Sequence, residues 1–433
     1  MEKLTYFWFR RDLRLNDNTG LKRALKNETN VQPIFIFDTT ILADLPKDDA
    51  RVTFIWEQLK RLNKELNEFG ASLRVEHGDP LIIWQKIIDE REIKALYTNR
   101  DYEPNAIERD KKVRFLMESN AIEYHDFKDH VFFEKDEVLK KDGTPYTVYT
   151  PYKNKWLEKY AKHNVEIPKK EEELNTHYTQ SNYKTPTLKE IGFEKSAIKA
   201  PVYNLKGVDN YDVHRDFPAQ DATTHIGHHL RFGTVSVRSV VYFSNRKNQT
   251  FLSEIIWRDF FSQILAHFPY VADGPFKKKY GMIEWRNYES EFKKWCDGET
   301  GYPIVDAGMR ELNTTGFMHN RVRMITASFL IKHLLIDWRW GEAYFAEKLL
   351  DYDLSSNNGN WQWAAGTGCD AAPYFRVFNP TLQSEKFDKQ NKYIQKWVPE
   401  FDTANYIAPM VDHKMARERA IATYKKGLDN YSL

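Results

Sequence analysis

The first 130 residues alternate short apolar segments with longer amphipathic ones, and this alternation restricts the fold more than any other feature. The amphipathic segments, such as Arg51–Phe69 and Asn105–Ser119, are typical of helices. Strands that alternate with helices form a parallel sheet covered by helices. We therefore predict an α/β domain over residues 1–130, Rossmann-like but without the G-x-G-x-x-G fingerprint. The apolar segments predicted as strands are Leu4–Phe9, Val31–Phe37, Ser72–Glu76, Ala95–Thr98 and Glu123–Phe127.

The rest of the chain has a different pattern. Residues 131–205 are rich in Lys, Glu, Pro, Thr and Tyr and show little periodicity, so we predict an interdomain linker. From residue 206 onward, apolar residues recur at a spacing near 3.6, which predicts a larger all-α domain over residues 206–433. The predicted helices in this domain are Phe251–His267, Val305–Thr314, His319–Ile336, Gly341–Leu350 and Met415–Gly427.

Composition excludes several classes of protein. The net charge is only +2, so any contact with nucleic acid must come from a local basic patch. Two cysteines, Cys296 and Cys369, are too few for a disulfide framework and favour a reducing cytoplasm. The most apolar helical run, Met324–Trp338, is too short and too polar to span a membrane, and charges interrupt the N-terminus too early for a signal peptide. We expect a cytoplasmic monomer without membrane contact.

Five strings of residues resemble the photolyase/cryptochrome family, and most closely its class I members that act on cyclobutane pyrimidine dimers. The resemblance runs from about residue 4 to about residue 425. It implies an α/β antenna domain followed by a helical domain that buries FAD. It also implies light-driven repair of these dimers in damaged DNA by electron transfer from excited reduced FAD. The strings are FRRDLRLNDN (Phe9–Asn18), EIIWRDFF (Glu254–Phe261), GYPIVDAGMREL (Gly301–Leu312), MHNRVRMITASFL (Met318–Leu330) and DYDLSSNNGNWQWAAGTGCDAAPYFRVFNP (Asp351–Pro380).

One stretch offers hydroxyls and a glycine just before a predicted helix, which suits phosphate, although an ordinary helix cap has the same residues. The resemblance assigns the FAD pyrophosphate to this stretch. The family commonly has Arg at the position of His225 and Ser at that of Gly227, so a charged side-chain contact is lost here. His225, His228 and His229 share one helical face, but no carboxylate or cysteine stands at ligand spacing, so we expect no metal. The implied FAD residues are Tyr211, Thr223, Thr224, His225, Ile226 and Gly227.

A polar loop before a later helix carries Asp351, Asp353 and Asn357, where capping and turn chemistry are the alternative. The resemblance implies that Asp353 accepts from the flavin ring and that Asp351 pairs with Arg323. It places Asn357 beside the reactive ring nitrogen, where an amide can bond either form.

Three tryptophans match the family's electron-transfer chain, from the flavin outward Trp361, Trp338 and Trp285, with core packing as the alternative. Trp361 and Trp363 stand two residues apart on a predicted helix and therefore point about 200° apart. One helix can thus present Trp361 to this chain and Trp363 to a substrate pocket.

The remaining matches describe a pocket for a flipped-out thymine pair. Glu254, Trp257, Arg258 and Phe261 follow the i, i+3, i+4, i+7 spacing of one helical face, and Asn320 and Met324 are i, i+4. The implied catalytic residues are Glu254, Trp257, Asn320, Met324 and Trp363. The implied DNA contacts add Arg215, Arg258, Phe261, Arg321, Arg376 and Gln383; Lys277–Lys279 are better explained as solvated surface.

The pocket residues also predict the lesion. Family members that reverse (6-4) photoproducts carry two histidines where this chain has Asn320 and Met324, and one of them transfers a proton. Neither an amide nor a thioether titrates near pH 7, and His319 points about 100° away on the same helix. We therefore expect cyclobutane dimers to be the substrate and (6-4) photoproducts to be left intact.

Other assignments were weighed. A cryptochrome photoreceptor of the same fold often carries a long C-terminal extension, which we do not expect after Leu433. Members that act on single-stranded DNA usually replace the residues matching Trp363 and Met324. A plain nucleotide-binding module leaves the helical half unexplained. A second antenna chromophore stays open: Asn105-Ala106 keeps only half of the folate-binding pair, and a deazaflavin, a flavin or an empty site remain.

Overall fold

The computed structural model of the protein describes residues 3–163 and 177–431. The described residues form two compact units, which we call the sheet unit and the helical unit. The sheet unit takes its residues from Met1–Glu134, Tyr160–Pro201 and Ile226–Arg246. The helical unit takes its residues from Lys135–Lys159, Val202–His225 and Lys247–Leu433.

The α-helices, in chain order, are α1 (Thr19–Asn27), α2 (Thr39–Leu42), α3 (Ala50–Asn67), α4 (Pro80–Glu90), α5 (Pro104–Ser119), α6 (Tyr149–Ala161), α7 (Tyr211–His214), α8 (Gly227–Arg231), α9 (Val237–Lys247), α10 (Gln249–His267), α11 (Glu289–Asp297), α12 (Pro303–Thr315), α13 (Asn320–Ser328), α14 (Trp338–Lys348), α15 (Leu354–Ala365), α16 (Pro380–Phe387), α17 (Lys392–Trp397) and α18 (His413–Tyr431).

The sheet unit is built on a parallel sheet with the strand order β3-β2-β1-β4-β5. Every residue of β1 and β2 is buried, as expected of inner strands with helices on both faces, whereas the edge strands β3 and β5 are partly exposed. The predicted α/β fold is therefore confirmed. The strands are β1 (Leu4–Phe9), β2 (Val31–Asp38), β3 (Arg74–Gly78), β4 (Ile93–Asn99) and β5 (Glu123–Phe127).

Two apolar clusters cover the faces of this sheet. Phe7 and Phe9 belong to one cluster and Tyr6 and Trp8 to the other, because successive side chains of a strand point to opposite faces. The helices begin at polar caps; the side chain of Asp49, for example, accepts from the first backbone N–H groups of α3.

The helical unit has one large apolar cluster, to which α12, α13, α14 and α15 contribute. The helices predicted at 251–267, 305–314, 341–350 and 415–427 correspond to α10, α12, α14 and α18. The helix predicted over His319–Ile336 is wrong in its second half. There α13 ends at Ser328 and a π-helical turn, Phe329–His333, follows, with a bond from Leu334 N to Phe329 O.

The segment predicted as a linker, 131–205, is not structureless, since α6 lies within it. Its residues 164–176 lie outside the described part. The two compact units do not coincide with the domains 1–130, 131–205 and 206–433, which stay a prediction. Within residues 3–163 and 177–431, no helix is both long and apolar enough to cross a membrane.

Candidate active site

One face of α10 carries the side chains predicted to contact a substrate. Glu254, Trp257 and Arg258 are half-buried, while Ile255 and Ile256 between them are buried in the core. Phe261, one turn further, is also buried, and its ring lies 5.3 Å from that of Trp257. The helical spacing therefore places Glu254, Trp257 and Arg258 on one partly open face, as the sequence predicts.

Tyr149, at the start of α6, is a site residue that the sequence analysis missed. Its ring stacks on Trp257 with a centroid distance of 3.5 Å and an interplanar angle of 7°. Its hydroxyl donates to Ser253 O at 2.7 Å, and its backbone N–H donates to Asp370 Oδ2 at 2.8 Å. These bonds hold the ring against one face of the indole, so a flat ligand could stack only on the other face.

Two of the arginines predicted to contact phosphate are paired with carboxylates. Arg215 is ion-paired with Glu254, and Arg321 donates to Asp216 at 2.7 Å. Burial raises the pKa of Glu254 despite the neighbouring Arg215. A carboxyl with a raised pKa keeps its proton to a higher pH and can then donate a hydrogen bond.

The start of α13 presents Asn320 and Met324 as predicted. Asn320 is exposed and Met324 half-buried, with its sulfur 3.8 Å from Arg321 Nη1. His319 caps the helix, because its Nδ1 accepts from the backbone N–H of Arg321. Burial lowers the pKa of His319 to about 4, so this imidazole is neutral near pH 7 and is a poor source of protons there.

The other predicted pocket and DNA residues have varied exposure. Trp363 is half-buried whereas Trp361 is buried, in agreement with their opposite directions on α15. Arg376 is exposed and lies over the ring of Phe378, and Gln383 on α16 is half-buried.

The loop before α15 is organised by three polar side chains. The predicted pair is present, since Arg323 Nη2 donates to Asp351 Oδ2 at 3.0 Å. Asp353 caps α15 by accepting from Ser356 N at 3.0 Å and from the Ser355 hydroxyl. This is the capping alternative, and the flavin contact of Asp353 stays a prediction.

Asn357 has a partner that the sequence analysis missed. Its amide nitrogen donates to Glu342 O at 3.0 Å and to Glu342 Oε1 at 2.9 Å. Burial raises the pKa of this glutamate. The two bonds turn the amide N–H groups toward α14 and leave Asn357 Oδ1 directed elsewhere as an acceptor.

The residues predicted to hold pyrophosphate fall on both units. Tyr211 begins α7 and Thr224 is buried, with its carbonyl accepting from Asn204 N, and Thr223 is half-buried. His225 has a left-handed backbone with φ of 49°, so the predicted helical face shared with His228 and His229 is wrong at this residue. Ile226 and Gly227 belong to the sheet unit, where Gly227 begins α8.

The three predicted electron-transfer tryptophans lie in or against the core of the helical unit. Trp361 and Trp338 are buried in it, and Trp285 is half-buried against it. Trp361 packs on α14, the helix that begins at Trp338, because Gly341 leaves room for its indole. Among the described residues, no ring contact joins Trp338 directly to either of the other two.

Comparisons with known proteins agree with this geometry. Residues 5–172 match the family model described as DNA photolyase, and residues 251–405 match the FAD binding domain of DNA photolyase. A deoxyribodipyrimidine photo-lyase of Halobacterium salinarum is 34% identical over 97% of this chain and 98% of its own. The chain belongs to the photolyase/cryptochrome family. An Escherichia coli deoxyribodipyrimidine photo-lyase is 35% identical over 96% of this chain and 98% of its own.

Solved structures of photolyases and a cryptochrome share the fold. A class III photolyase from Agrobacterium tumefaciens has a TM-score of 0.86 at 33% identity and covers 99% of this chain and 98% of its own. An archaeal photolyase from Sulfolobus tokodaii, solved with two FAD molecules, has a TM-score of 0.82 at 34% identity and covers 98% and 100%. A Synechocystis cryptochrome, 24% identical, has the same TM-score.

FAD is the cofactor that this photolyase family fold holds, and the polar atoms of the helical unit fit it. Asp351 Oδ1, Asn358 Nδ2 and His225 Nδ1 are buried without a hydrogen-bond partner among the described residues. Buried polar atoms are normally satisfied, so such a group of an acceptor, a donor and an imidazole nitrogen suits a ligand with both kinds of atom. The ring, ribityl and phosphate groups of a flavin nucleotide supply both.

A second chromophore fits less well at the strand ends of the sheet unit. In parallel sheets, ligands bind at the carboxyl ends of strands where the strand order reverses, here between β1 and β4. The cavity there measures about 10 Å³, room for no more than one water. Arg10 pairs with Asp110, Arg11 donates to Glu103 at 2.8 Å, and Trp8 lies between two guanidinium groups. A flavin would have to open these pairs.

Proposed function

We propose that this chain is a cytoplasmic, monomeric deoxyribodipyrimidine photo-lyase that splits cyclobutane pyrimidine dimers in damaged DNA under blue light. The observation that carries the proposal is the open face of α10, where Glu254 and Trp257 meet the family's FAD-binding region. Bound reduced FAD supplies, after absorbing light, the electron that splits the dimer and then returns. The protein's own side chains bind, orient and stabilise the lesion.

Trp257 and Trp363 provide flat apolar surfaces for the two bases of a flipped-out dimer. Tyr149 already covers one face of Trp257, so a base stacks on the other face. The Glu254 carboxyl and the Asn320 amide bond the carbonyl and imide edges of the bases. A protonated Glu254 donates to a base carbonyl whose oxygen gains charge during cleavage, and its raised pKa favours that protonated form.

The electron chain acts in a separate reaction, the light-driven reduction of oxidised flavin. Trp361 donates first, and Trp338 and Trp285 refill it in turn. For the antenna, we propose that the strand-end crevice holds no second flavin, because its arginines are already paired. The purified chain should therefore release about one FAD and no other chromophore.

Two oligonucleotides test the function, one with a cyclobutane thymine dimer and one with a (6-4) photoproduct. The chemically reduced protein is illuminated with each, and the products are resolved by chromatography. We expect restored thymines from the first substrate only, because Asn320, Met324 and the neutral His319 offer no acid near pH 7. Repair of the (6-4) substrate would refute the lesion assignment. A folded protein that cannot be loaded with FAD and repairs neither lesion would refute the proposed function.

A further inference from the structure

The π-helical turn Phe329–His333 buries a lysine that the proposed repair reaction does not use. Lys332 is 1% exposed, and its Nζ donates to Ala365 O at 3.1 Å. The same Nζ lies 3.6 Å from the centroid of the Tyr424 ring. Among the residues that the structure describes, no carboxylate forms an ion pair with it. An ammonium without a counter-charge in an apolar core is costly, so burial lowers the pKa of Lys332 well below its usual range.

Tyr424, on α18, shares the hydrogen-bond acceptor of this lysine. Its hydroxyl donates to Ala365 O at 2.8 Å, and its side chain is completely buried. Burial raises the pKa of Tyr424 well above its usual range, so the phenol keeps its proton in the resting protein. Oxidation makes a phenol strongly acidic. The structure thus holds a phenol that loses its proton only on oxidation next to a buried amine that can accept one.

The Tyr424 ring also contacts the outermost tryptophan of the proposed chain. The centroids of Tyr424 and Trp285 are 5.8 Å apart and the rings are nearly perpendicular, at 88°. The opposite partner is Tyr374, which stacks on Tyr424 at 5.8 Å and 4°. Trp285 is half-buried, whereas Tyr424 has no exposed surface. An electron vacancy that reaches Trp285 therefore has a shielded phenol in direct contact.

We propose that Tyr424 is the terminal electron donor behind Trp285 and that Lys332 accepts its phenolic proton. The proposal rests on the tryptophan chain of the proposed function. One electron passes from Tyr424 to the oxidised Trp285, which returns to its neutral form. The O–H bond of Tyr424 breaks, an N–H bond forms on Lys332, and a neutral tyrosyl radical and an ammonium remain. Ala365 O already accepts from Lys332 Nζ and stabilises the new charge.

Moving the positive charge to Lys332 gives the step a consequence. A tyrosyl radical that has lost its proton must recover it before it can take an electron back at low cost. The charge-separated state then lives longer than with an oxidised Trp285 alone, and external reductant has more time to act. Lys332 is therefore needed for efficient light-driven reduction of the flavin, and not for binding it.

Transient absorption and electron paramagnetic resonance after a blue flash test the proposal on the FAD-loaded, oxidised protein. Ring-deuterated tyrosine narrows the resonance of a tyrosyl radical and leaves that of a tryptophanyl radical unchanged. We expect a tyrosyl signal in the wild type, formed more slowly in heavy water because a proton moves. Tyr424→Phe should lose it. Lys332→Met should also lose it and keep a tryptophanyl signal; methionine suits the apolar site in length and flexibility.

Tyr280→Phe is the matched control, because Tyr280 contacts the same Tyr424 ring at 6.3 Å but shares no hydrogen bond with Lys332. It should keep the tyrosyl signal. A wild type that shows only tryptophanyl radicals, or Lys332→Met with an undiminished tyrosyl signal, would overturn the proposal. The wild-type signal and its solvent isotope effect decide the matter even if Lys332→Met does not fold. Repair by the chemically reduced wild type is measured separately, so failure of the proposed function is distinguished from failure of this step.

Discussion

Gly341 provides a test of the electron chain that leaves every tryptophan in place. A Cβ at this position would lie 2.2 Å from Cη2 and 2.5 Å from Cζ3 of Trp361, and 2.5 Å from Leu330 Cδ2. Carbon atoms pack at about 3.5–4.0 Å, so in Gly341→Ala the indole must move by about 1 Å or more. Alanine favours the interior of a helix by about 1 kcal/mol over glycine, whereas overpacking a core costs about 1–3 kcal/mol. We expect no net stabilisation and a loss of up to about 2 kcal/mol.

The assay compares light-driven reduction of the flavin with thermal stability in the same preparation. Electron tunnelling weakens steeply with distance, so displacement of Trp361 should slow photoreduction several-fold. Gly274→Ala is the control, because a Cβ there meets nothing within 4 Å and the glycine does not have a positive φ. If Gly341→Ala photoreduces at the wild-type rate and melts at the wild-type temperature, Trp361 does not sit against α14 as described.

Three further substitutions test other parts of the site. Trp361→Phe should block photoreduction, yet the chemically reduced variant should still repair, because that electron passes from flavin to lesion; normal photoreduction would show that the chain is misassigned. Arg321→Ala should weaken binding to damaged and undamaged DNA alike and reduce the salt slope by about 1, whereas Asp216→Asn, which frees Arg321, should strengthen both; an effect on lesion binding alone would mean a base contact. Glu342→Ala should shift the flavin absorption spectrum by releasing the Asn357 amide, while Glu342→Gln, which keeps an acceptor, should not; equal spectra would separate Glu342 from the flavin.

Features with a local periodic pattern were predictable from the sequence. The inner strands are continuous apolar runs, and the face of α10 follows from helical spacing alone. The π-helical turn was not predictable, because its apolar residues continue the pattern of α13. Only the bond from Leu334 N to Phe329 O marks the change. That bond spans five residues instead of four and turns Lys332 into the core.

Long-range pairs were the other part that the sequence could not provide. Tyr149 stands in a segment without periodicity, far along the chain from the Trp257 ring it covers. The resemblance named Arg215 and Glu254 as separate contacts, to phosphate and to the lesion, but the two are ion-paired. DNA binding must therefore break or share this pair. Releasing Arg215 removes the charge that lowers the pKa of Glu254, so its carboxyl gains its proton more readily when the guanidinium turns to phosphate. In that arrangement, binding of the backbone and protonation of the lesion-facing carboxyl favour each other.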